Sequence, residues 1–182
     1  GSPKSVISTT TMANRLVLVG DGGVGKTALR KRWETGEFEY KYVPTLGGST
    51  CQLSKGGLPG DENDNEFPET SVWDTAGTAE YQGLREGYYI GAKAVVLLFD
   101  VTRQETFLSV PGWLGLIRSV NPQCPIMLCG TKVDAQHRKV SPGAINKILP
   151  SLTRFGVQAY HDISAKSCHN WDRPLRWFAS LP

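Results

Sequence analysis

The chain has 182 residues, enough for one domain with a full hydrophobic core but too few for two independent ones. Its formal net charge of +3 is too mild to indicate nucleic acid or a membrane surface as a partner. The longest apolar run, residues 94–99, is far too short to span a bilayer.

The N-terminal end of the chain is expected to lie outside the folded domain. Residues 1–3, Gly-Ser-Pro, look like the remnant of a cleaved tag, and residues 1–13 are predicted to be a flexible tail. Residues 14–182 are predicted to form one domain, expected to be monomeric. The last residues contain no cysteine for lipid attachment, so no membrane anchor is expected.

Apolar runs alternate with longer amphipathic stretches, which predicts βα units around a mainly parallel sheet. The predicted strands are 15–19, 48–53, 70–73, 94–100, 126–130 and 157–163. The predicted helices are 26–34, 110–120, 142–149 and 172–179. The connection between the second and third strands is rich in glycine and acidic residues, which predicts a solvated loop.

A glycine-rich motif follows the first strand. Residues 20–27, Gly-Asp-Gly-Gly-Val-Gly-Lys-Thr, match the phosphate-binding pattern G-x-x-x-x-G-K-[ST] between a strand and a helix. The glycines let backbone N–H groups approach phosphate oxygens, and the helix N-terminus favours the same anion. Lys26 is predicted to contact the β- and γ-phosphates, and the Thr27 hydroxyl to bind Mg²⁺. The predicted nucleotide contacts here are Asp21, Gly22, Gly23, Val24, Gly25, Lys26, Thr27 and Ala28.

The same glycines also satisfy the dinucleotide-binding pattern G-x-G-x-x-G. That pattern does not require the Lys-Thr pair, and it expects an acidic residue about twenty positions later to hold a ribose. Residues 42–45 offer none, so an NAD-dependent enzyme is a remote alternative.

Two further motifs follow successive predicted strands and indicate which base is bound. Guanine presents two neighbouring donors that one carboxylate can accept, and Asp134 in the motif Thr131-Lys132-Val-Asp134 is the predicted reader. The aliphatic stem of Lys132 is expected to lie on the purine face. In the second motif, Ser164-Ala165-Lys166, the N–H of Ala165 is expected to donate to the guanine oxygen.

With these motifs the sequence resembles the Ras superfamily of small GTPases from about residue 15 to residue 179. Within it, the nuclear-transport group typified by Ran is most similar. The stretches that carry this likeness include 16–23, 35–39, 83–90, 99–102, 138–140 and 162–167. The resemblance implies an α/β P-loop NTPase fold: a mainly parallel six-stranded sheet with one antiparallel edge strand and helices on both faces.

The same resemblance assigns residues 41–45 to switch I and residues from 74 onwards to switch II. Thr45 would bind Mg²⁺ and the γ-phosphate, Asp74 would hold Mg²⁺ through water, and the Gly77 N–H would contact the γ-phosphate. Phe38 matches the aromatic that packs edge-on against guanine, and Tyr42 matches the tyrosine that closes over the phosphates.

Thr78 departs from the family pattern, which has a water-positioning glutamine there. A threonine lacks the paired donor and acceptor of an amide, so slow intrinsic hydrolysis is expected. Gln82 is a weak candidate to compensate. The predicted catalytic group is therefore Lys26, Thr45, Gly77 and Thr78.

Thr131 replaces the asparagine of most relatives, a feature shared with Rho proteins. Too few residues follow Asp134 for the Rho insert helix, and the acidic tail typical of Ran is absent. The implied partners are GTP or GDP, an exchange factor, a GTPase-activating protein and importin- or exportin-like receptors, in nucleus and cytoplasm. The alternatives are a hydrolysis-deficient GTP-binding scaffold and a Rho- or Rab-like switch.

Four cysteines, Cys51, Cys124, Cys129 and Cys168, have no metal-binding spacing, which favours free thiols in a reducing compartment. The three histidines are predicted to be surface or capping residues. The tryptophans Trp113, Trp171 and Trp177 are predicted to pack helices onto the sheet.

Overall fold

The computed structural model describes residues 14–40, 48–62, 66–75 and 91–182. Six strands in these ranges form one sheet: β1 Arg15–Val19, β2 Gly48–Leu53, β3 Thr70–Thr75, β4 Ala94–Asp100, β5 Ile126–Thr131 and β6 Val157–Asp162. The helices of the same ranges are α1 Lys26–Thr35, α2 Gln104–Leu108, α3 Val110–Val120, α4 Pro142–Arg154 and α5 Arg173–Ser180.

The strand order is β2-β3-β1-β4-β5-β6. Only the pair of β2 with β3 is antiparallel, and every other neighbouring pair is parallel. The predicted fold class is confirmed, including the antiparallel edge strand. Because β1, β3, β4, β5 and β6 run the same way, the loops that follow them meet at one edge of the sheet.

Side chains alternate along the strands, so the sheet has an apolar core on each face. Val17, Leu97 and their neighbours pack with the buried faces of α3 and α4. Leu16, Leu98 and their neighbours pack with the buried faces of α1 and α5. The central strands β1, β4 and β5 are buried along their whole length, as expected for a sheet covered on both sides.

Two helices differ from the prediction. The short α2 was not predicted, and α4 continues through Pro150 to Arg154 instead of ending at residue 149. Pro150 is exposed, whereas Leu152 in the next turn is buried against the sheet. Ser141 caps the N-terminus of the helix, because its hydroxyl accepts a hydrogen bond from the Ala144 N–H.

The connection between β2 and β3 is not simply a solvated loop, so that prediction was wrong in part. The backbones of Gly56 and Phe67 exchange two hydrogen bonds, of 3.0 and 2.9 Å. This pairing buries the side chains of Leu58 and Phe67 in the core cluster that also contains Trp33. The segment is therefore only partly exposed to solvent, despite its glycines and acidic residues.

All four cysteines are free thiols, as predicted. Burial raises the pKa of Cys124 to about 11, and burial also raises the pKa of Cys129. In the ranges that the structure describes, no helix is both long and apolar enough to cross a membrane.

Candidate nucleotide-binding site

The glycine-rich loop leaves β1 and turns sharply into α1. Gly20 has a φ of 148°, and a Cβ at this position would clash with the carbonyl oxygen of Leu98 on β4. Gly23 has a φ of 77°, in the left-handed region that favours glycine. The loop can therefore lie against β4 because Gly20 carries no side chain, and Gly23 allows the left-handed backbone of the turn.

Lys26, the first residue of α1, is buried and points back into the loop. Its Nζ donates hydrogen bonds to the carbonyl oxygens of Gly20, at 2.7 Å, and Asp21, at 2.8 Å. These contacts hold a positive charge inside the loop, where phosphate oxygens would need it.

The Thr27 hydroxyl lies next to Asp74, at the end of β3. It donates a hydrogen bond to the fully buried Asp74 carboxylate, and the Arg30 guanidinium is 3.7 Å from the same oxygen. The pair fits Mg²⁺, which prefers oxygen ligands and usually takes only one or two from protein. No cluster of three His, Cys, Asp or Glu residues that could hold a metal occurs in the described ranges, so Thr27 and Asp74 would need further oxygen ligands, such as phosphate, water and the predicted Thr45, to complete the coordination.

A cavity of about 170 Å³ lies beside the loop and contains most of the residues predicted to bind the base. Its walls are α1, the segment that follows it, and the loops after β5 and β6. Its lining includes Val24, Gly25, Ala28, Leu29, Phe38, Thr131, Lys132, Asp134, Ala135, Ile163, Ser164, Ala165 and Lys166. The structure therefore brings both base motifs and the glycine-rich loop to one site.

Asp134 is exposed at the mouth of this cavity, and Ser164 orients it. The Ser164 hydroxyl donates to Asp134 Oδ1 at 2.7 Å and accepts from the Ser167 N–H at 3.0 Å. Because only one oxygen of the carboxylate is engaged by this hydroxyl, Asp134 retains acceptor capacity for a ligand.

Thr131 and Lys132 connect the end of β5 to the glycine-rich loop. The Thr131 hydroxyl lies 2.6 Å from the Val24 carbonyl and 3.0 Å from that of Phe99. Lys132 Nζ donates to the Gly23 carbonyl at 2.8 Å and pairs with the buried Asp100 at 2.8 Å. These residues stabilise the loop as well as lining the base cavity.

A second aromatic side chain, which was not predicted, packs against the one that lines the cavity. Phe38 lines the cavity, and Tyr40 packs edge-on against it with ring centroids 5.1 Å apart. Lys166 Nζ lies 5.5 Å from the centre of the Tyr40 ring. Tyr40 was missed because it belongs to no motif.

Three other contacts to the site were not predicted. The Trp113 indole of α3 donates to Asp21 Oδ1 at 2.8 Å, in addition to its predicted packing role. The Arg103 guanidinium donates to the Gly22 carbonyl at 3.1 Å, and Asp100 pairs with Lys132. Asp100 ends β4 and Arg103 follows it. Their place at the carboxyl edge of the sheet was the sequence signal that could have indicated these contacts.

Four predicted site residues, Tyr42, Thr45, Gly77 and Thr78, lie outside the residues that the structure describes, as does Gln82. Their predicted roles stay predictions.

A comparison with models of known protein families finds a match to the Ras family over residues 15–180. The match extends from β1 to the end of α5 and includes the glycine-rich loop and both base motifs.

Proposed function

The chain belongs to the Ras family of small GTPases, and we propose that it is a GTP/GDP switch of the nuclear-transport type with slow intrinsic hydrolysis. Proteins of this family bind guanine nucleotides with Mg²⁺, hydrolyse GTP and work with exchange factors and GTPase-activating proteins. The observation that carries nucleotide binding is the meeting of the glycine-rich loop and the Asp134 cavity at one edge of the sheet.

Guanine specificity follows from the acceptors and donors of the cavity. The Asp134 carboxylate would accept from the two neighbouring donors of guanine, while adenine has no such pair. The backbone of Ala165, which lines the same cavity, supplies an N–H for the guanine oxygen. Lys132 and Phe38 supply apolar surface for the base.

At the phosphate end, Lys26 is in position to leave the loop carbonyls and bind the β- and γ-phosphates. Thr27 and Asp74 would hold Mg²⁺, directly and through water. The ion supplies positive charge that neutralises the phosphates during hydrolysis. Thr45 and Gly77 would respond to the γ-phosphate, which is the basis of a switch.

Slow hydrolysis is proposed from Thr78, which cannot orient the attacking water as the glutamine of relatives does. Single-turnover hydrolysis of the wild-type chain and of Thr78→Gln, loaded with the same GTP, tests this. We expect the glutamine variant to be about 10-fold or more faster, since one positioned side chain is typically worth at least that much. Equal rates would contradict the proposal.

The same residue supports the alternative of a GTP-binding scaffold with negligible hydrolysis. A GTPase-activating protein separates the two, because it accelerates turnover of a switch and has no effect on a scaffold. The assay compares turnover of the wild-type chain with and without the activating protein, and the Thr78→Gln variant is the positive control.

The transport role rests on the resemblance of residues 83–90 and 138–140 to the Ran group. The Arg138 side chain is engaged within the domain, because its guanidinium donates two hydrogen bonds to the Asp162 carboxylate, at 2.7 and 3.2 Å. Lys139 within this stretch and His137 directly before it are exposed. A receptor that contacts it would therefore meet these two side chains.

The transport role is tested by measuring the binding of importin- or exportin-type receptors to the chain loaded with GDP or with a non-hydrolysable GTP analogue. We expect binding that depends on which nucleotide is loaded. Binding that ignores the nucleotide, or no binding in either state, would contradict the role and leave the GTP switch intact.

A further inference from the structure

Five consecutive carbonyl oxygens of the glycine-rich loop each accept a hydrogen bond from a side chain. We refer to these oxygens, of residues 20–24, as the loop carbonyls. Lys26 and Thr131 account for three of them, and Lys132 for a fourth. In chain order the donors are Lys26 at 2.7 Å, Lys26 at 2.8 Å, Arg103 at 3.1 Å, Lys132 at 2.8 Å and Thr131 at 2.6 Å. Arg103 alone among these donors lies outside the motifs that the proposed function uses.

The turn after β4 places Arg103 firmly. The Asp100 carboxylate accepts hydrogen bonds from the Thr102 N–H at 2.8 Å and its hydroxyl at 2.6 Å. The Thr106 hydroxyl accepts from the Asp100 N–H at 2.8 Å, and the Arg103 N–H donates to the Asp100 carbonyl at 3.0 Å. Because Asp100 and Thr106 are buried, the backbone that carries Arg103 has little freedom to move.

We propose that Arg103 is a positioning residue of the nucleotide site and slows the release of bound nucleotide. This inference rests on the proposed function. The guanidinium holds the Gly22 carbonyl on the outer side of the loop. In a trans peptide the C=O and the N–H point in opposite directions, so the N–H of Gly23 is directed away from Arg103, towards the phosphate side of the loop.

The charge of Arg103 adds to this geometric effect. A cation on the carbonyl of a peptide polarises it and strengthens the N–H as a donor. Lys132 does the same for the next peptide, whose N–H belongs to Val24. Oriented backbone N–H groups of this kind form an anion-binding concavity. Arg103 therefore prepares the loop for phosphate without touching it.

An ordinary surface ion pair is the competing explanation. Arg103 Nε lies 3.1 Å from Glu105 Oε1, and both side chains are partly exposed, at 40% and 68%. Exposed ion pairs of this kind contribute little to stability. Glu105 thus provides a matched control, because Glu105→Gln removes the ion pair and leaves the hydrogen bond to Gly22 in place.

The test measures dissociation of fluorescently labelled GDP in Mg²⁺ buffer, chased with excess unlabelled GDP. Arg103→Ala should release GDP about 10-fold faster, which corresponds to the low end for a hydrogen bond with a charged partner. Arg103→Lys should release GDP at a rate between those of Arg103→Ala and wild type, because lysine keeps the charge but lacks the planar, multi-donor guanidinium. Glu105→Gln should release GDP at the wild-type rate.

A second measurement separates positioning from a structural role. After removal of nucleotide and Mg²⁺, wild type and Arg103→Ala should melt at the same temperature, followed by circular dichroism. Any of three results would overturn the inference. Arg103→Ala could release GDP at the wild-type rate, or Glu105→Gln could release GDP as fast as Arg103→Ala. The third result is a lowered melting temperature of the nucleotide-free Arg103→Ala variant. A wild-type chain that binds no labelled GDP would contradict the proposed function and the inference together.

Discussion

Replacing Asp134 by asparagine should change which base the protein prefers. The substitution keeps the size of the side chain and removes its charge. The Ser164 hydroxyl, which now donates to Asp134 Oδ1 at 2.7 Å, can still donate to the amide oxygen, so the side chain keeps its support. The amide NH₂ would then face the two donors of guanine, whereas xanthine has an oxygen at the corresponding carbon.

The size of the effect follows from the two hydrogen bonds lost. A hydrogen bond to a charged group contributes about 1.5–3 kcal/mol, and the low end applies because Asp134 is exposed. Two such bonds give roughly 3 kcal/mol, which corresponds to a loss of about 100-fold in GDP affinity. A donor facing donors can only add to this loss, while xanthosine diphosphate gains a partner.

The assay is competition of unlabelled GDP, xanthosine diphosphate and ADP against a fluorescent nucleotide. Wild type should prefer GDP, and Asp134→Asn should prefer xanthosine diphosphate. Ser164→Ala is the matched control: it should weaken all guanine binding without changing the order of preference. An Asp134→Asn variant that still preferred GDP would refute the assignment of the base cavity.

Two further predictions concern the stability of the site and of the fold. Thr131→Val should lower the free energy of unfolding in urea by about 1–3 kcal/mol, because it removes the hydroxyl that donates to the Val24 carbonyl at 2.6 Å. Thr131→Ser keeps the hydroxyl and should lose clearly less; equal losses would contradict the hydrogen bond. Burial raises the pKa of Asp162, but hydrogen bonds from Arg138 and Tyr160 outweigh it and hold that pKa below its usual value. The Asp162 carboxylate therefore binds a proton more readily in the unfolded chain, so stability should be lost as the pH falls below about 4. Asp162→Asn should reduce that loss of stability. Glu66→Gln, at an exposed carboxylate, should leave it unchanged.

The meeting of the three motifs at one candidate site was predictable, because each motif is local in sequence and their assembly follows from topology. The glycine-rich loop, the Asp134 motif and the Ser164 motif each follow a strand of a mainly parallel sheet. Loops at the carboxyl ends of such strands converge, so three separate sequence motifs had to meet at one edge. The structure places them around one cavity, as expected.

The helix boundaries were less predictable, because packing overrides local preference. Proline disfavours the interior of a helix, so Pro150 indicated an end at residue 149. Burial of Leu152 on the sheet extends α4 by a further turn, to Arg154. In the same way, burial of Leu58 and Phe67 folds back a segment whose composition indicated only solvent exposure.

Contacts between distant residues carry no local signal. Arg103 and Trp113 reach the loop from 81 and 92 residues away in sequence. Arg103 follows β4 at the carboxyl edge of the sheet, but nothing in the residues around either side chain identifies its partner in the loop. Only the turn after β4 and the packing of α3 bring them to Gly22 and Asp21.

We propose that one site holds a guanine nucleotide between the glycine-rich loop and Asp134. The most direct measurement is to incubate the purified protein with equal GDP and ADP in Mg²⁺, remove unbound nucleotide, denature the protein and identify what it releases by chromatography. Release of GDP without ADP is the predicted result. Equal amounts of both, or retention of neither, would contradict the account.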